Sequence, residues 1–81
     1  MSNEEIRRRV QKSIDAFNKG VKRPEEKYNL IRTTNVEWDV SFYWNNFEEA
    51  FENWFAGEVL EVFFQGKWQI WDESNRNLIM R

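Results

Sequence analysis

The chain has no cysteine and no histidine, and only three glycines and one proline in 81 residues. Without cysteine there is no disulfide to hold a small domain together. Without either residue, Ser-His and Cys-His nucleophile pairs and ordinary zinc sites are excluded. The three glycines are scattered, so no phosphate-cradling loop is present. No apolar run approaches the roughly 18 residues of a membrane span. The opening Met1-Ser2-Asn3-Glu4-Glu5 lacks the apolar core of a secretion signal. A cytoplasmic location, with no membrane association, is the expectation.

What the chain does have is rings: five Trp, seven Phe and two Tyr. Large aromatic side chains bury much apolar area per residue ordered, which suits a small domain with no staple. Charged residues make up 32% of the chain, and the apolar ones fall in periodic patterns, as in a folded domain rather than a disordered one. The length admits one domain, residues 1–81. Net charge is −2, unevenly placed: residues 1–32 hold nine Lys/Arg against five Asp/Glu, and residues 33–81 hold three against nine. Such asymmetry marks either a charged partner surface or two halves that attract each other.

The first helix is expected over residues 3–19. Ser2 and Glu5 form a capping box, and Ile6, Val10, Ile14 and Phe17 share a face. Gly20 reads as its stop. Glu4–Arg8, Glu5–Arg9 and Asp15–Lys19 are acid-before-base pairs four apart on a solvated surface. Residues 28–33 are a short strand candidate. Residues 36–44 read as a strand because Val36, Trp38, Val40, Phe42 and Trp44 alternate with more polar positions. A second helix is expected over 46–56, capped by Asn46 and ended by Gly57, with Phe47, Ala50, Phe51, Trp54 and Phe55 as its stripe. Strands 58–64 and 68–72 then form a hairpin around Gln65-Gly66. Of two registers, a three-residue loop gathers Leu60, Val62, Phe64, Trp68 and Ile70 on one face and is preferred. The alternative pairs Phe63 with Trp68 and Glu61 with Ile70. A last strand covers 78–81. The fold class is α+β, a small antiparallel sheet packed by two helices in the order α-(β)-β-α-β-β-β.

Chemistry finds little support. The adjacent carboxylates Glu25-Glu26, Glu48-Glu49 and Asp72-Glu73 sit at caps or turns, not facing one another across a cleft. The protein is therefore expected not to be an enzyme, with no catalytic residue, no cofactor and no metal. Its expected role is protein binding. Tyr43, Phe63 and Trp71 would lie on the sheet face opposite the core, unless the first helix covers that face. Glu48, Glu49 and Glu52 would steer a basic partner. The alternative is nucleic-acid binding through Arg7, Arg8, Lys12, Lys22 and Arg23, which the sequence pI of about 5.2 disfavours. Homodimerisation is also open. Tiny, acidic, motif-free proteins are often inhibitors from phages or mobile elements, anti-CRISPR proteins among them. An inhibitor of a host protein or nuclease complex is the finer expectation, carried by no particular residue.

Overall fold

The sheet has two edges and two faces, and each is treated differently. A computed structural model describes residues 2–79. In chain order it contains α1 (Asn3–Val21), β1 (Ile31–Asn35), β2 (Val40–Trp44), α2 (Phe47–Glu52), β3 (Glu58–Phe64), β4 (Lys67–Asp72) and β5 (Asn77–Leu78). The strands form one antiparallel sheet in the order β2-β1-β3-β4-β5. The fold is α+β, as expected. Of the expected last strand, residues 80 and 81 lie outside the described residues.

Both helix starts form as local chemistry dictates. The Glu5 amide donates to Ser2 Oγ at 3.2 Å, and the Glu49 amide to Asn46 Oδ1 at 2.8 Å. Each cap satisfies one of the orphan amides of a first turn. The expected stops are corrected. α1 runs through Gly20, which is buried. A β-carbon there would collide with the Leu30 side chain and the Asn29 carbonyl, so glycine serves close packing rather than termination. α2 ends at Glu52, with Asn53 as its C-cap. Gly57, at φ 87°, instead closes the turn in which the Glu58 amide reaches the Phe55 carbonyl.

The long alternating strand 36–44 is also corrected. Asn35 pairs with Val40, so residues 36–39 are a four-residue hairpin loop. Asn35 Oδ1 accepts from the Trp38 amide at 3.0 Å, and Asp39 adopts φ 54°. Both residues suit turns for that reason. The pattern of alternation crosses a reversal of the chain that it cannot register. The partner strand β1 accordingly begins later than expected and takes in Thr34 and Asn35.

The β3–β4 hairpin takes the register that the sequence disfavoured. Phe64 faces Lys67, Phe63 faces Trp68 and Glu61 faces Ile70. Gln65 and Gly66, at φ 54° and 80°, form a two-residue loop with both backbones left-handed, the turn that matches strand twist. One sheet face therefore carries Trp44, Ile31, Val62 and Leu60, and α2 packs over it. Trp44 is buried, and its indole N–H donates to Thr33 Oγ1 at 2.9 Å beneath the helix. Phe42, Phe47, Trp54, Tyr28, Trp71 and Leu78 complete this core.

The other helix does not lie across the second face. α1 packs against β2, the outermost strand, with Arg9, Ser13, Ala16 and Gly20 turned inward. Ser13 Oγ accepts from the Tyr43 amide at 2.9 Å, so a side chain of α1 occupies the hydrogen-bonding edge of the sheet.

Candidate protein-binding surface

Arg9 anchors the N-terminal half of α1. It does not pair with Glu5 but reaches inward. Its Nη2 donates to the Asn53 carbonyl at 3.1 Å and to Glu58 Oε1 at 3.4 Å. The two side chains are 10% and 3% exposed. The guanidinium lies 4.1 Å from the Phe42 ring centroid and 4.4 Å from that of Phe55. A cation between two ring faces is favoured by their quadrupoles. Glu58 Oε1 also accepts from the Phe55 amide at 3.2 Å.

Because the inward line is Arg9-Ser13-Ala16-Gly20, the apolar stripe of α1 points elsewhere. Ile6, Val10 and Ile14 are 41%, 43% and 49% exposed. Beside them stands the β1–β2 turn, whose Trp38 is 73% exposed. Between helix and turn runs a groove of about 440 Å³, walled by Ile6, Val10, Ile14, Trp38, Val40 and Phe42, with Arg9 and Glu58 at its base. A smaller concavity continues it past Ile14 to Phe17 and Tyr43. Large apolar side chains left wet in one contiguous patch are uncommon on a monomer and mark interaction surfaces.

The second sheet face is an aromatic and ionic layer, half-buried rather than wet. The Phe17 and Tyr43 ring centroids are 4.9 Å apart, those of Tyr43 and Trp68 5.8 Å, and those of Trp68 and Phe63 5.4 Å. Arg32 stacks 3.9 Å from the Trp68 centroid and pairs with Glu61 at 3.0 Å. Glu61 also accepts from Thr34 Oγ1 at 3.0 Å. Side chains cover one another here, and Tyr43, Phe63, Trp68 and Ile70 are each partly buried.

The sequence-predicted binding residues are dispersed. Tyr43 and Phe63 do share the second face. Trp71 does not: its ring stacks 4.5 Å from Phe47 on the α2 side. The register explains this, since the disfavoured pairing moves Trp68 and Ile70 to the second face and Trp71 to the core. Glu48, Glu49 and Glu52 ride on α2, across the sheet from Tyr43. Arg7, Arg8, Lys12 and Lys22 are exposed on or just beyond α1 and form no ion pair among the described residues. Arg23 pairs with Glu26 at 3.6 Å. Sequence reasoning missed Trp38 as a site residue because it was counted into a strand. The turn-forming Asn35 and Asp39 around it were the available signal.

No group of three His, Cys, Asp or Glu side chains suited to a metal occurs among the described residues. No helix among them is long and apolar enough to cross a membrane. No protein family, curated protein or solved structure matches this chain.

Proposed function

We propose that this is a non-enzymatic binding protein that acts through a protein–protein interface on the outer side of α1 and the β1–β2 turn. One observation carries the reading: an amphipathic helix presents its apolar stripe to solvent, next to a tryptophan that is 73% exposed. Tryptophan with surrounding aliphatic residues is the composition of interface hot spots. The groove's own ionisable pair, Arg9 and Glu58, is held together by direct contact, which favours a structural role over a catalytic one. Nucleic-acid binding is less well supported. On a helical wheel Arg8, Lys12 and Lys19 share the far side of α1 with Glu5 and Asp15, so their field is locally offset.

The test is affinity capture with immobilised protein, comparing the unmodified chain with Trp38→Ser and Ile6→Asp. A stoichiometric partner held by the former and lost by both variants, while circular dichroism stays unchanged, supports the reading. Equal retention by all three would remove this surface from the function. Retention of DNA or RNA at low salt with a steep salt slope would favour the nucleic-acid alternative.

A further inference from the structure

We propose that the occupant of this surface is a second copy of the chain, docked by antiparallel pairing of two α1 helices about a two-fold axis near Ile14. The inference rests on the protein-binding reading above and names its partner.

The stripe is self-complementary in one orientation. Ile6, Val10, Ile14, Phe17 and Val21 follow one another at spacings of four, four, three and four. Laid antiparallel on itself, the row sets Ile6 opposite Val21 and Val10 opposite Phe17, and Ile14 meets its own mate. Every stripe residue then faces an apolar one. A parallel pairing would instead place Glu4 beside Glu4 and Arg7 beside Arg7.

The shape agrees. An interface around a two-fold axis must hold both projection and recess on the same patch. The N-terminal half of the stripe borders the groove beneath Trp38 and Val40, and the C-terminal half ends on Val21, which is 53% exposed. The two-fold brings each exposed end onto the partner's groove.

Charge follows the same symmetry. Glu4 and Lys22 are eighteen positions apart, about five helical turns, so they stand on the same rim of the stripe. Antiparallel pairing faces Glu4 with the partner's Lys22 at both ends. Gln11 and Asn18, uncharged, occupy the rim between them, and Arg7 stands on that rim one turn in from Glu4. The two helix dipoles also run in opposite senses, each acidic first turn lying beside a basic last turn.

The area is sufficient. Scaling the exposures of the stripe, Trp38 and Val40 by ordinary side-chain areas gives on the order of 600 Å² of apolar surface per protomer. A stable interface of standard size buries roughly 800 Å² per partner, a little over half of it apolar.

The chain has no cysteine, so single-cysteine variants report proximity cleanly. Ile14→Cys is expected to form an intermolecular disulfide rapidly under mild oxidation, and Lys12→Cys, on the opposite side of α1, is not. Ile6→Cys cross-linking as readily as Ile14→Cys would overturn the antiparallel arrangement. In sedimentation velocity the unmodified chain should run as a dimer of the 10.0 kDa protomer. Ile14→Glu should return it to monomer with unchanged circular dichroism. Glu4→Lys should weaken dimerisation about tenfold, and Lys22→Glu added to it should restore the affinity. A monomer up to about 200 µM, or a dimer indifferent to Ile14→Glu, overturns the proposal. Neither result touches the protein-binding reading, which falls only if Trp38→Ser and Ile6→Asp leave capture of every partner unchanged.

Discussion

Replacing Arg9 by methionine tests the least expected contact in the molecule. Methionine keeps the length and the apolar stem of the side chain, and still fills the space between Phe42 and Phe55. It removes the charge that faces Glu58, whose side chain is 3% exposed. Breaking a buried ion pair from one side costs about 3–5 kcal/mol, because the remaining charge is left without compensation. Two other terms act on the same site. Loss of the stacked guanidinium adds roughly 1 kcal/mol. Arg9 Nε is buried without a hydrogen-bond partner, and its removal returns about 1 kcal/mol or more. The net expectation is a loss of about 3–5 kcal/mol, set against a whole-domain stability of about 4–12 kcal/mol for this length. Urea unfolding followed by tryptophan fluorescence measures it, since urea leaves charge interactions unscreened. Adding Glu58→Gln keeps an acceptor for the Phe55 amide while removing the second charge. The double variant should be more stable than Arg9→Met alone, with a coupling of about 2 kcal/mol. Arg7→Met, on an exposed residue, is the control. If Arg9→Met lies within about 0.5 kcal/mol of the unmodified chain, as surface changes do, the arginine is solvated and the inward anchor is refuted.

Gly20→Ala should destabilise by about 1–3 kcal/mol in a thermal melt, because the overpacking against Leu30 outweighs alanine's better helix propensity. Ser13→Ala leaves the Tyr43 amide without its acceptor and should cost about 1–3 kcal/mol, with faster hydrogen exchange at that amide. Gly66→Ala places a β-carbon at φ 80° and should cost about 1–2 kcal/mol in a thermal melt, and Gly66→Ser should cost as much.

How far the sequence could be read depended on the range of the interaction. Caps are settled within three residues, and Ser2 and Asn46 were legible from their own neighbourhoods. The α2 stripe was legible only in part: Phe47 and Ala50 meet the core, but Phe51 is exposed and Trp54 and Phe55 lie beyond the end of the helix. Strand register was not legible. The preferred hairpin gathered its apolar residues on one side, on the assumption that a charged residue marks a wet face. Arg32 and Glu61 neutralise each other over Trp68, so the second face tolerates charge and rings together. The inward side of α1 was misread for a related reason. Small residues at Ser13, Ala16 and Gly20 allow close approach, and an arginine can be buried when rings and a carboxylate receive it. Hydrophobicity alone pointed to the neighbouring stripe. The exposed apolar surface depends on both readings at once, the orientation of α1 and the turn at Trp38.

α1 is fastened to the sheet largely through polar groups: a guanidinium on a carboxylate, a hydroxyl on a strand amide, and the Asn29 amide donating to the Gly20 carbonyl at 3.0 Å. Such joints are directional, so they fix where the helix sits. In a monomer the α1 amides should exchange with solvent ahead of those of β1 and β3, the central strands, which open only with the whole domain.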